Sequence, residues 1–333
     1  MKTAYIKSIS YYLPDQILTN EDLVRDFPEW TVEKVAGKLG IDKRHISAQG
    51  ETAGDMAEKA ALNLFAEWQV EPADIDFVIL CTQSPDYFLP TTACILQERL
   101  NIPTSAGAFD FNLGCSGYIY GLAISKGLIL AGIAKNILLL TAETYSKHIH
   151  PKDKGNRTIF GDAASATLIS HSGFARIGEF VLGTDGKGCN NLVVRTGGMR
   201  ESNRQNKEKI DENGSFESAD HLYMNGSEIF SFTQERVPEL VKEALSRNGK
   251  KDSDISLYVF HQANKYMLDF LRKKMKIEED KFFYYMSEVG NTVSSTIPIA
   301  LYEAVKLDKP KGDIMLAGFG VGYSWGATLL NFG

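Results

Sequence analysis

Short, continuously apolar runs alternate along the chain with longer stretches whose apolar positions recur every three to four residues. Asp74-Ile75-Asp76-Phe77-Val78-Ile79-Leu80-Cys81 is one such run. Its length and its β-branched and aromatic content predict a strand buried on both faces. A helical pattern from Met56 to Trp68 precedes it. The same order recurs downstream, where a helical pattern from Phe232 to Arg247 leads into Asp254-Ile255-Ser256-Leu257-Tyr258-Val259-Phe260-His261, an offset of 180 residues.

Three further matches follow in the same order. Asn112-Leu113-Gly114-Cys115 corresponds to Glu288-Val289-Gly290-Asn291, and Asn136-Ile137-Leu138-Leu139-Leu140 to Asp313-Ile314-Met315-Leu316-Ala317, with offsets of 176 and 177. Ala166-Thr167-Leu168 echoes Ala327-Thr328-Leu329. Ordered matches at a nearly constant offset predict a duplicated α/β fold of two similar halves, 1–172 and 173–333. Met199 to Asp220 has no periodicity and reads as a surface excursion. Gly117 to Ile133 is the longest apolar stretch, and Ser125, Lys126 and its glycines make it a buried helix rather than a membrane span. The opening Met1-Lys2-Thr3-Ala4-Tyr5 leads into a strand-like run with no signal-peptide core.

Composition narrows the function. At 333 residues, 44% apolar and 23% charged, the chain is an ordinary globular protein with length for a large core. Four scattered cysteines, without CxxC spacing, exclude a disulfide scaffold or a zinc knuckle and fit a reducing cytosol. A net charge of −6 without a long basic block makes nucleic acid a poor partner.

In α/β units, ligands gather beyond the carboxyl ends of strands. Cys115, His261 and Asn291 all stand at such ends, and a pseudo-two-fold axis would bring their turns into one pocket. A thiol opening a helix at Ser116-Gly117-Tyr118 feels the positive end of the macrodipole, which can bring it from about 8.5 to roughly 3.5–7.5. Cys81, Cys94 and Cys189 read as ordinary core cysteines. His148 and His150, with no third ligand in view, read as part of a solvated loop, so no metal is expected. Gly318-Phe319-Gly320-Val321-Gly322 is not a dinucleotide fingerprint, because another strand follows it; it predicts a strand-to-strand turn whose N–H groups could stabilise an oxyanion.

Together, Asn112-Leu113-Gly114-Cys115-Ser116-Gly117, His261-Gln262-Ala263-Asn264, Gly290-Asn291-Thr292, Phe160-Gly161-Asp162-Ala163-Ala164, Pro90-Thr91-Thr92-Ala93-Cys94 and Gly320-Val321-Gly322-Tyr323-Ser324-Trp325-Gly326 resemble β-ketoacyl-acyl-carrier-protein synthase III. The match runs from about residue 3 to 332. The resemblance implies the thiolase-like, five-layered αβαβα fold. It also implies that Cys115 takes the acyl group of a primer thioester on CoA or acyl carrier protein. His261 and Asn291 would then hold the malonyl thioester of acyl carrier protein as CO₂ leaves, and the carbanion would attack the acyl-Cys115. It makes the backbone N–H groups of Cys115 and Val321 the oxyanion hole and places Phe319 beside the cysteine. CoA and phosphopantetheine thioesters would be substrates, with no resident cofactor. A cytoplasmic homodimer is implied, with Leu89 lining the partner's primer pocket.

Departures from the pattern fall at positions that would meet CoA and carrier protein. Trp30 fits an adenine clamp, but Lys38 and Lys154 stand where arginines are usual, and lysine lacks the planar face that stacks on adenine. Tyr266 replaces an arginine after His261-Gln262-Ala263-Asn264, leaving Lys265, Lys273 and Lys274 as candidate carrier-protein contacts. Two alternatives remain. One is an acyltransferase that passes the acyl group to a non-malonyl nucleophile. The other is a non-catalytic partner of an active homologue.

Overall fold

The computed structural model describes residues 3–210 and 216–333. Residues 1 and 2 of the opening run, and 211–215 within the excursion, lie outside the described residues. Nine strands form the main sheet: β1 (Tyr5–Tyr12), β2 (Phe77–Cys81), β3 (Gly107–Phe111), β4 (Asn136–Glu143), β5 (Ala163–Ser170), β6 (Ala175–Thr184), β7 (Ile255–Phe260), β8 (Gly312–Gly320) and β9 (Ser324–Phe332). Their spatial order is β7-β8-β9-β6-β1-β5-β4-β2-β3. Read outward from the middle, both halves follow one plan. The strand at the junction (β1 or β6) pairs antiparallel with the next (β5 or β9), and that strand pairs antiparallel with a third (β4 or β8). The third then pairs in parallel with β2 or β7. Beyond β2 lies β3, and beyond β7 a single parallel bridge from Tyr258 to Phe282 holds the equivalent place. The halves join edge to edge where Tyr5 and Ile6 pair with Arg176 and Ala175.

Side-chain alternation along these strands builds the layers. Ile79, Ile137, Leu139, Leu257, Val259, Ile314 and Leu316 share one core with Ile119 and Leu122 of α3 (Gly117–Ala131) and Ile297 and Leu301 of α6 (Thr296–Lys306). Their neighbours face outward. Val78, Leu80, Leu138 and Leu140 pack with α1 (Ala53–Trp68) and α2 (Thr92–Arg99), and Tyr258, Phe260, Met315 and Ala317 with α4 (Gly226–Arg247) and α5 (Lys265–Lys274). Helix, sheet half, helix pair, sheet half and helix are therefore stacked, the expected αβαβα arrangement. Among the described residues no helix is long and apolar enough to cross a membrane.

Both predicted helices begin earlier than their apolar pattern. Thr52 and Asp55 form a reciprocal cap that starts α1 at Ala53, and Asn225 caps α4 at Gly226. The excursion is held by Asp220, whose carboxylate accepts from Thr196 Oγ1, Gln205 N and Asn206 N at 2.6, 2.9 and 2.7 Å. Cys94 and Cys189 are exposed, so the expectation of core cysteines holds only for Cys81. The His148–His150 loop is not simply solvated either. Burial holds His148 below its ordinary value, and His150 stacks on Phe216 at 3.8 Å.

Candidate active site

Cys115, His261, Asn291, Phe319 and Gly320 line one cavity of about 140 Å³. The two halves contribute turns from opposite sides. Cys115 precedes α3 after β3, His261 follows β7, and Asn291 stands before α6. Gly320 ends β8 against the thiol: a Cβ there would lie 2.8 Å from Cys115 Cβ and 2.9 Å from its sulfur. Only glycine allows the turn from the second half to approach the Cys115 thiol so closely.

The thiol is 6% exposed. Burial pushes it up to about 12, with the nearby Glu143 carboxylate adding to the rise. The backbone N–H groups of Cys115 and Val321 act on the sulfur in the opposite direction. The expected thiolate at neutral pH is therefore not the resting form, because desolvation outweighs the helix terminus. The sulfur must lose its proton to a base as it reacts.

His261 has the form such a base needs. It is 2% exposed, and burial brings it down to about 3, which keeps the ring neutral. Its Nδ1 lies 2.7 Å from Thr296 Oγ1 in the first turn of α6. The Thr296 hydroxyl donates to Val293 O at 3.0 Å, so it accepts from Nδ1–H and leaves the lone pair on Nε2. Phe319 stands edge-on to the ring at 5.8 Å. Asn291 is pinned through its backbone, donating to Ile159 O at 2.9 Å and accepting from Gly161 N at 3.0 Å. Its Oδ1 accepts from Val293 N at 2.9 Å, which fixes the amide and leaves Nδ2 to donate elsewhere. Phe160, Leu192, Met224 and Ile229 supply apolar walls.

Glu143 is a group that the motif pattern did not single out. This fully buried carboxylate ends β4, accepting from Gln83 N at 3.1 Å, Ser294 Oγ at 3.1 Å and Ser84 Oγ at 3.3 Å. Burial raises it to about 8. A lone acid closing the apolar run Ile137 to Ala142 was a visible signal, since acids are rarely fully buried. Thr296 gave no such signal.

The outlying candidates separate. Leu89 does not line this chain's cavity. It is 81% exposed beside Tyr87 and Phe88, because the loop after β2 carries it outward. Lys38, Lys265 and Lys273 line a groove with Tyr266 and Phe270, although Lys265 is engaged by Asp269 at 2.6 Å. Lys274 turns back to donate to Gln234 O at 2.7 Å. Lys154 pairs with Glu29 at 3.0 Å, and Trp30 packs near Phe27, so neither joins that groove. Arg157, missed in the sequence, lies over the Phe27 ring at 5.5 Å. Among the described residues, no group of three or more His, Cys, Asp or Glu side chains is placed to hold a metal ion.

Comparison with known proteins follows the same geometry. Residues 109–186 match the family model for 3-oxoacyl-[acyl-carrier-protein (ACP)] synthase III, and 245–332 the model for its C-terminal part. A β-ketoacyl-[acyl-carrier-protein] synthase III of Caldanaerobacter subterraneus is 34% identical over 96% of this chain and 95% of its own. A putative 3-oxoacyl-[acyl-carrier-protein] synthase 3 of Campylobacter jejuni is 36% identical over 91% and 85%. A crystal structure of a 3-oxoacyl-(acyl-carrier-protein) synthase III superposes with a TM-score of 0.97 at 51% identity, covering 99% of this chain and 100% of that one. A 3-oxoacyl-(acyl-carrier protein) synthase of Burkholderia xenovorans gives 0.91 at 35% identity, covering 99% and 94%. The chain belongs to the β-ketoacyl-acyl-carrier-protein synthase III family.

Proposed function

We propose that the protein condenses an acyl primer with malonyl-acyl carrier protein, with loss of CO₂, through an acyl-Cys115 intermediate. The observation that carries this reading is the single cavity shared by a thiol, a neutral imidazole with a free Nε2 and an amide left to donate. Cys115 sulfur attacks the primer thioester, and its proton passes through His261 Nε2 to the departing thiol. The N–H groups of Cys115 and Val321 receive the oxyanion. The malonyl thioester enters next. As CO₂ leaves, the enolate oxygen is held by Asn291 Nδ2 and by His261 in its Nε2–H form, which the ring reaches by releasing its Nδ1 proton to water and taking one at Nε2; the reverse exchange resets it for the next primer. The Thr296 hydroxyl supports that second form by turning its proton toward Nδ1. The enolate carbon attacks the acyl thioester, the β-ketoacyl product departs, and the Cys115 thiolate takes a proton from solvent.

No α-proton is removed in this sequence, so a weakly basic imidazole is sufficient. Thioesters of CoA or phosphopantetheine are the substrates, with no resident cofactor. The groove at Lys38, Lys265 and Lys273 receives phosphate or an acidic carrier. A second copy of the chain covers Tyr87, Phe88 and Leu89, which are 63, 76 and 81% exposed. The cytoplasm is the compartment of action.

The test is intact mass after incubation with a panel of acyl-CoAs and acyl carrier proteins, with and without malonyl carrier protein. A Cys115→Ala variant serves as control. Acylation lost in Cys115→Ala and discharged as a β-ketoacyl product only by the malonyl carrier is expected. Acylation that the malonyl carrier cannot discharge would overturn condensation in favour of transfer to another nucleophile.

A further inference from the structure

Thr233 lies in the body of α4 and lines the Cys115 cavity. It is 1% exposed, and its Oγ1 has no hydrogen-bond partner among the described residues. A helical threonine ordinarily returns its hydroxyl to the carbonyl one turn back. This one does not, so a buried donor and acceptor is left unpaired at a cavity wall, an arrangement that costs stability in the free protein. Asn264, which lines the same cavity, has its Oδ1 occupied by Met267 N–H at 2.9 Å, so Nδ2 remains to donate. The other linings around these two are largely apolar: Gly226, Ile229, Ala263 and Met267. An acyl chain gains nothing from such a polar pair and is better matched to Phe160, Leu192 and Met224.

We propose that Thr233 is a specificity-determining residue that hydrogen-bonds an amide of the substrate's thioester arm, in the cavity it shares with Asn264. A hydroxyl that donates or accepts, sharing a cavity with an amide NH₂, complements the C=O and N–H of a peptide-like group. CoA and acyl carrier protein both present such amides in the pantetheine arm, so the contact serves either donor. The inference rests on the thioester reading above and assigns the arm's contact within it.

The test compares wild type with Thr233→Val, which keeps the shape and removes the hydroxyl, and Thr233→Ser, which restores it. The rate of Cys115 acylation is followed with an acetyl-pantetheine thioester and with a plain S-ethyl thioester that has no amide. Thr233→Val is expected to lose about tenfold with the first donor and nothing with the second, with Ser recovering the loss. The same loss is expected with acetyl-CoA and with acetyl-acyl carrier protein. Without ligand, the Thr233→Val protein should melt about 2 °C higher, because an unpaired buried hydroxyl is gone. Equal losses with both small thioesters, loss with only one of the two natural donors, or no loss at all would overturn the proposal. Protection of Cys115 from iodoacetamide by S-methyl pantetheine separates the two levels. If no donor acylates any form, yet protection is about tenfold weaker in Thr233→Val, the thioester chemistry falls while the arm contact stands.

Discussion

The two halves put different chemistry on equivalent positions. Cys81 closes β2 and His261 follows β7, at the same place in the duplication. Cys81 is fully buried, its Sγ donating to Leu113 O at 3.1 Å, and a side chain at Gly117 would collide with it. Burial and the Glu143 carboxylate hold that thiol well above its ordinary value. His261 is nearly as buried, yet its ring lines the cavity and is aimed by Thr296. One step along the sheet, Glu143 ends β4 where β8 ends in Gly320, the residue that lies bare against Cys115. Duplication thus supplies the frame twice, but reactivity depends on which strand end opens into the cavity. Among the cysteines, Cys115 lines it and Cys81 does not.

Removing each thiol in turn separates the two positions most strongly. Cys115→Ala should abolish acyl transfer, a loss of at least about a thousandfold, because no other group on the cavity wall can form the thioester. Cys81→Ala should keep turnover within about threefold of wild type and pay instead in stability, by roughly 1–2 kcal/mol for a vacated core sulfur. Acylation followed by intact mass, together with urea melts, reads both. Acylation surviving in Cys115→Ala, or vanishing in Cys81→Ala with the fold intact, would invert the assignment.

A smaller effect is expected at Thr296, which holds the His261 ring. Thr296→Val removes the hydroxyl that bonds His261 Nδ1 and leaves that nitrogen without its partner. Turnover should fall about tenfold, and Thr296→Ser should restore most of it. Nitrogen-15 spectra of labelled histidine provide the readout that simple packing would not move. The wild-type ring should report a protonated Nδ1, and the Val variant a different tautomer balance. An unchanged spectrum in the Val variant would remove Thr296 from the mechanism.

Much of this was legible in the sequence, for a physical reason. A strand buried on both faces needs a continuous apolar run, so Phe77–Cys81 and Ile255–Phe260 match by sequence alone. The turns at Cys115, His261 and Asn291 stand where such strands end. Protonation was less legible. The helix terminus at Ser116 suggested a thiolate, whereas packing at Cys115 reverses the sign, and packing cannot be read from local spacing. Leu89 stands apart for a related reason: a residue expected to meet a partner leaves its own chain's cavity, and it is exposed here. Thr233 and Thr296 are ordinary helical threonines in sequence, and only the cavity and the ring beside them give them a role.

Glu143 offers the smallest change in turnover and the clearest pH signature. Its native carboxyl sits at about 8, above its ordinary 4.5. Between those values the folded protein holds a proton that the unfolded chain has released, so stability falls as pH rises from about 4.5 to 8. Glu143→Gln copies the protonated form and removes that slope. The variant should match wild type near pH 5 and exceed it near pH 8 by a few kcal/mol, seen as a rising melting-temperature difference. His261 acts with the opposite sign. Its depressed value of about 3 costs stability as pH falls from 6.5 toward 3, equally in both proteins. Iodoacetamide reaction at Cys115 should quicken in Glu143→Gln only above pH 8, where the wild-type carboxylate carries charge. Turnover near pH 7 should change less than about threefold, since both side chains are neutral there. Parallel melting curves from pH 5 to 9 would show that Glu143 does not hold its proton in the fold. The contrast with bare Gly320 would then be one of shape rather than charge.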